Sequence, residues 1–161
     1  MQRHAGFTLL EVMLVLLLLS GIALLAVATL PSDSTRPEAE KLLVMMRWAA
    51  GQAPLDGAVI RLRIDPQRGD LARLVPGESK DDTLFKGYRW QPVENRLARY
   101  QLPAGLSVTL HQQGKMVKLP ATLLFLPDGD QPPFTLRLSG PDMTASEIVS
   151  AEGEITLREL P

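Results

Sequence analysis

The sequence contains no cysteine. Thiolate metal sites and thiol nucleophiles are therefore excluded, and an exported domain of this composition is stabilised by packing alone. The compartment has to be read from another part of the chain. Histidine is nearly as scarce, since only His4 and His111 occur, which leaves little material for a general base or an imidazole ligand set. An excess of charge of either sign is missing as well. The net charge is -1 and the pI is near 6.1, so no basic field is available to hold nucleic acid or anionic lipid. There is no internal repeat, low-complexity tract or second domain boundary. A length of 161 residues accommodates one membrane segment and one domain, and the part after Pro31 is long enough to bury a modest core.

The chain does have a long apolar run. Gly6-Phe7-Thr8-Leu9-Leu10-Glu11 leads into Val12 to Leu19; Ser20 and Gly21 interrupt it briefly, and Ile22 to Leu30 resumes it. As a helix, Phe7 to Leu30 extends about 36 Å at roughly 1.5 Å per residue. That length crosses a hydrocarbon core of about 30 Å. Arg3 and His4 precede the run, and a basic flank there stays cytoplasmic, sending everything after Leu30 outward. Glu11 is the exception in this segment. A carboxylate near lipid costs on the order of 2.5–3.5 kcal/mol at the bilayer centre and less towards its edge, so it either stays wet at the end of the run or has a partner. Ala26-Val27-Ala28 offers the small-x-small pattern of ordinary signal peptidase, but the apolar stretch ahead of it exceeds the roughly 7–15 residues of an h-region and carries Glu11 at its start.

The string from Gly6 to Leu17 resembles the class III leader of type IV pilins and pseudopilins, with glycine, phenylalanine and glutamate at the required spacing ahead of an apolar run. The resemblance implies that a prepilin peptidase cuts after Gly6, that the new N-terminal Phe7 is methylated, and that Glu11 guides assembly. Cleavage there makes Phe7 the first residue and Glu11 the fifth. A free ammonium and a carboxylate then stand on one helical end, able to compensate each other within a subunit or between neighbours.

Pro31 ends or kinks this helix, because it lacks an N–H and clashes with the preceding turn. Thr35-Arg36-Pro37-Glu38 reads as a capping box, with Thr35 as N-cap. Ala39, Leu42, Leu43, Met46 and Ala50 then recur at helical spacing, and Glu38, Lys41, Arg47 and Gln52 are expected to face away from that stripe. Gly51 to Gly57, with Pro54 inside it, is expected to stop the helix. Short strands follow. Ala58, Ile60, Leu62 and Ile64 alternate with Val59, Arg61 and Arg63; Asp65 to Asp70 reads as a turn and Leu71 to Val75 as a return strand. Pro76 to Lys86 reads as loop, and Tyr88 to Gln91 as a short strand cut by Pro92. Arg96–Leu102 and Leu106–His111 flank Pro103-Ala104-Gly105 as a hairpin-like pair, with Lys115–Leu119 extending it past Gln113-Gly114. Thr122–Leu126 and Phe134–Leu138 flank a Pro- and Asp-rich connection, and Ile148–Ser150 and Glu154–Leu160 close the chain around Glu152-Gly153.

Phe125-Leu126-Pro127-Asp128-Gly129-Asp130 followed by Phe134 to Leu138 is similar to the late hairpin of the H-type minor pseudopilins of type II secretion, and Leu102 to Leu106 fits the same pattern. That family implies an α+β, pilin-like fold. A long N-terminal helix, part membrane anchor and part amphipathic, packs on a C-terminal antiparallel β-sheet domain. The expected segments are a cleaved leader at 1–6, a transmembrane and assembly helix at 7–30, a periplasmic amphipathic helix at 31–53 and a periplasmic β-rich domain at 54–161. The family also implies a structural role near the tip of a periplasmic pseudopilus, not an enzymatic one. The implied partners are the prepilin peptidase, other minor pseudopilins, the major pseudopilin and the inner-membrane assembly platform. The chain is then a single-pass inner-membrane protein with a periplasmic C-terminal domain, without cofactor or nucleic acid. A minor pilin acting in pilus assembly or DNA uptake shares the leader, but DNA uptake wants a basic stripe, against which the pI near 6.1 stands.

Other candidate chemistry is weaker. Asp128, Asp130 and Asp142 could supply oxygens to calcium, but Asp-Gly is a strong turn signal and no EF-hand spacing is present. His111 lies in a strand with no serine or aspartate constellation readable nearby. Trp48, Trp90, Tyr88 and Tyr100 could form a recognition patch or serve helix–sheet packing. Arg61, Arg63, Arg96, Arg99 and Arg137 read as solvated strand faces first and partner contacts second.

Overall fold

The apolar run is helical. In the computed structural model, which describes residues 9–28, 35–78, 85–141 and 143–160, helix α1 spans Leu9–Ala28, about 30 Å at the usual rise. Met1–Ser32 and Asp33–Pro161 form two compact units. Pro31 and the Ser32-Asp33-Ser34 break lie outside the described residues.

In the second unit, helix α2 spans Thr35–Asp56. Pro37 falls in its first turn, where a missing N–H costs nothing because that group has no intrahelical partner. Of the stretch Gly51 to Gly57 expected to stop the helix, only the last residue does so, since α2 runs through Gly51 and Pro54. Ala53 is fully buried, and packing of that turn overrides the weak local propensities. Asp56 is held by Gln52 at 2.7 Å and by Arg73 at 2.6 Å. The stop comes one residue later, where Gly57 takes φ +58° and its N–H reaches the Pro54 carbonyl at 3.3 Å.

Ten strands follow among the described residues: β1 Ile60–Ile64, β2 Arg68–Pro76, β3 Tyr88–Pro92, β4 Arg99–Gln101, β5 Ser107–Gln112, β6 Lys115–Val117, β7 Ala121–Phe125, β8 Phe134–Ser139, β9 Ala145–Ala151 and β10 Glu154–Leu160. A 3-10 turn at Arg96–Ala98 precedes β4 and is capped by the Asn95 side chain. All pairings are antiparallel. The first sheet runs β3-β2-β1-β7, with β4 also on β2, and the second runs β10-β9-β8-β5-β6. The alternation predicted for β1 is observed, with Ile60, Leu62 and Ile64 buried and Arg61 and Arg63 on the other face. Arg68 to Asp70, expected in a turn, instead begins β2 and pairs with both β1 and β4.

Helix α2 packs on β1 and β7 of the first sheet and on β8, β9 and β10 of the second. This is why its buried face is wider than a single stripe and takes in Met45 and Ala49 as well as Leu42, Leu43 and Met46. Each buried leucine or methionine among these contributes about 1.5–3 kcal/mol relative to exposure. Leu62, Leu123, Phe125, Leu110, Leu136 and Ile148 complete the core from the two sheets.

Two expected hairpins are not hairpins. β4 pairs with β2 in the first sheet and β5 with β8 and β6 in the second, so Pro103-Ala104-Gly105 carries the chain between sheets. Likewise β7 pairs with β1 and β8 with β5 and β9, so the connection from Leu126 to Pro133 is a second crossover. The β5–β6 and β9–β10 hairpins are as expected. Gln113 and Gly114, and Glu152 and Gly153, take positive φ in pairs, the turn geometry that matches strand twist.

Candidate functional site

The leader residues Gly6 and Phe7, and His4, lie outside the described residues. Glu11 stands in the first turn of α1, and beyond it every large apolar side chain from Leu9 to Leu19 is exposed, by between 48% and 81%. A polar atom in this stretch is satisfied locally, as Ser20 Oγ donates to the Leu16 carbonyl at 2.9 Å. A helix apolar on all sides cannot be half-solvated like α2; it requires lipid or other helices around it. Taken on the described residues alone, no helix is long and apolar enough to cross a membrane. The run read from the sequence begins and ends outside them.

Among the described residues, no catalytic constellation assembles around the other candidates. His111 sits half-buried in β5, paired with Met116 on one side and Thr135 on the other. Asp128 accepts from the Asp130 N–H at 3.0 Å, and Gly129, at φ +79°, donates to the Leu126 carbonyl at 3.1 Å. These bonds are those of an Asx turn. Asp142 lies outside the described residues, and among those described no three His, Cys, Asp or Glu side chains gather as a metal site would need.

The aromatic and basic candidates are brought together more than their spacing suggests. Trp48 packs half-buried against the core. On the outer face of the first sheet, the Arg61 guanidinium lies 4.6 Å over the Trp90 ring, and Phe85 meets the same ring edge-on at 5.5 Å. Asp65 takes Arg68 at 2.9 Å and Arg63 at 3.5 Å. The Arg68 hydrogen bond is the main reason its carboxyl is held below the usual carboxylate range, against a smaller opposing effect of burial. Arg137 reaches Glu147 at 4.0 Å, while Tyr88 is exposed on β3.

Two helix side chains expected to face away from the sheets reach towards them instead. Glu38 gives one oxygen to Lys41 at 2.6 Å and the other to the Tyr100 hydroxyl at 2.9 Å. Arg47 Nε donates to the Ile155 carbonyl at 2.9 Å. Partial burial, and then the Glu38 hydrogen bond, push the Tyr100 phenol well above its ordinary value of 10.0. Helical periodicity separates polar from apolar faces but does not show that a second sheet closes over the polar margin, so these bridges had no sequence signal. The buried hydrogen bond of Thr35 Oγ1 with Ser146 Oγ, at 3.0 Å, is of the same kind.

Comparison with known proteins settles the family. Over 154 residues the chain is 31% identical to type II secretion system protein H of Pectobacterium carotovorum subsp. carotovorum, covering 84% of this chain and 81% of that protein. Over 149 residues it is 31% identical to the protein of the same name from Klebsiella pneumoniae, covering 85% and 87%. The chain belongs to the type II secretion system protein H family. It is a minor pseudopilin of type II secretion, a structural protein and not an enzyme. The fold agrees. The minor pseudopilin EpsH from the type 2 secretion system of Vibrio cholerae superposes with a TM-score of 0.55 at 23% identity, over 78% of this chain and 95% of that one. Escherichia coli GspH does so with a TM-score of 0.53 at 17% identity, over 77% and 87%. No protein-family model matches the chain. Membership in protein H decides between the secretion and pilus readings that the sequence admitted, since the relatives are named for type II secretion. As a type II secretion pseudopilin, the protein works with other components of that system, in the inner membrane and periplasm.

Proposed function

We propose that the chain is cleaved after Gly6, N-methylated at Phe7, anchored through residues 7–30 as a single-pass inner-membrane helix, and incorporated into the periplasmic pseudopilus near its tip. Residues 31–53 then serve as the periplasmic amphipathic helix and 54–161 as the β-rich domain. The prepilin peptidase acts on it, and other minor pseudopilins, the major pseudopilin and the inner-membrane assembly platform are its partners in moving folded proteins across the outer membrane. The observation that supports this reading is the placement of Glu11, the lone charge of α1, in the first turn of a helix otherwise uncharged through Ala28. Cleavage sets the Phe7 amine one helical turn before it, about 6 Å along the axis. Where helices bundle and both groups are poorly solvated, pairing offsets a desolvation cost of several kcal/mol, and a neighbour's amine meeting Glu11 fixes axial register.

Intact mass of the protein extracted from membranes tests the processing. The expected mature chain starts at N-methylated Phe7, and replacing Gly6 by alanine or larger residues impairs cleavage in step with side-chain size. A mature chain starting at Thr29 establishes ordinary secretion instead.

A further inference from the structure

β1 occupies one edge of β2, so β3 and β4 lie one after the other along the opposite edge, β3 against residues 72–76 and β4 against 68–70. On the face turned away from α2 lies an open groove of about 770 Å³, whose lining includes Arg61, Arg68, Asp70, Trp90 and Arg99; Tyr100 also borders it, with its hydroxyl turned to Glu38 of α2. The lining holds three arginines and one aspartate, and Asp65 offsets Arg68 from beside it, so the positive excess rests on Arg61 and Arg99, in a chain whose net charge is -1. The arginines are set in different ways. Arg61 is laid over Trp90, Arg68 is steered by Asp65, and Arg99 is exposed with no ion pair among the described residues.

From this geometry we infer that the outer face of the first sheet is a docking groove for an extended acidic segment of a partner protein. Charge complementarity selects carboxylates, which match the planar guanidinium fork in two-point contacts, and a guanidinium already laid on an indole loses less freedom on binding than a solvated one. Arginine and tryptophan are also the side chains that concentrate binding energy at protein interfaces. Nucleic acid fits less well. Trp90 is covered by Arg61 on its face and met by Phe85 at its edge, so it offers no free stacking platform, and the protein as a whole has no cationic field to draw in a polyanion. The groove belongs to the second unit, so its occupancy is independent of how α1 is processed or assembled, and failure of one reading leaves the other standing.

The test uses the full-length chain in detergent and a fluorescein-labelled peptide of alternating glutamate and threonine, followed by anisotropy at low ionic strength. An alternating lysine–threonine peptide and a thymidylate oligonucleotide of matched length serve as competitors. Expected are saturable binding of the acidic peptide, loss of binding as salt rises, and a weakening of about tenfold or more in both Arg61→Gln and Arg99→Glu, as for removal of a charge-assisted contact. Arg158→Glu, on the second sheet, leaves it unchanged. Because Arg61→Gln also removes the contact with Trp90, the exposed Arg99→Glu decides the matter if the former misfolds by circular dichroism. Absence of saturable binding, an unchanged affinity in Arg99→Glu, or displacement of the peptide by the oligonucleotide but not by excess unlabelled acidic peptide overturns the inference.

Discussion

Glu38 and Tyr100 join α2 to β4 through a hydrogen bond from a half-buried phenol to a carboxylate that is 12% exposed. A hydrogen bond to a charged acceptor, partly screened, contributes on the order of 1 kcal/mol. Tyr100→Phe therefore lowers stability by about that amount at neutral pH. The phenol's folded pKa is raised, so its contribution is complete below the ordinary tyrosine value of 10.0 and is lost as pH rises from there towards the folded value. The stability gap between wild type and Tyr100→Phe is expected to narrow above pH 10.0, read as urea midpoints from tryptophan fluorescence. A gap unchanged by alkali contradicts the assignment. None of this was legible in the sequence, where Glu38 and Tyr100 are 62 positions apart. Glu11 differs, because a charge in an apolar run stands out without any tertiary contact.

At the scale of elements, the patterns that survived folding are those with a local cause. The stripe on α2, the alternation of β1 and the turns at Gln113-Gly114 and Glu152-Gly153 depend on residues near one another, and the structure keeps them. The two misread hairpins depend on something non-local. Pro103-Ala104-Gly105 and Pro127 to Pro133 reverse the chain, as turn residues do, but which strand then receives the edge is decided by β2 and β1 for the earlier partner and by β8 and β9 for the later one. Period-two spacing carries no information about sheet membership. The underestimate of α2 has the same origin, because a helix covered by two sheets buries residues that a single sheet leaves wet. Met45, buried although outside the expected stripe, shows the widening, while Met46, fully buried, and Val44, 49% exposed, mark the two sides of the helix. Met46→Ala is expected to cost about 2–5 kcal/mol, and Val44→Ala to stay within about 0.5 kcal/mol, both by urea unfolding. Comparable losses in the two variants contradict a helix with one solvent-facing side.

For the whole molecule, the pilin-like class was legible from the leader alone, and the α+β architecture from the change of periodicity after Gly57. The fold then separates two tasks. The second unit has its own core, two sheets around α2, while the exposed side chains of α1 form no such core and await an environment. The central claim is that this environment is a bundle of pseudopilin helices registered through Glu11. The chain has no native cysteine, so a Leu16→Cys variant carries one thiol, and cysteines at matching depth in partner subunits report contact by disulfide formation in secreting cells. The account predicts a crosslinked heterodimer that falls sharply in Glu11→Val and is intermediate in Glu11→Asp, with membrane insertion and cleavage unchanged in both. No heterodimer in the otherwise wild-type chain, or undiminished crosslinking and secretion in Glu11→Val, contradicts it.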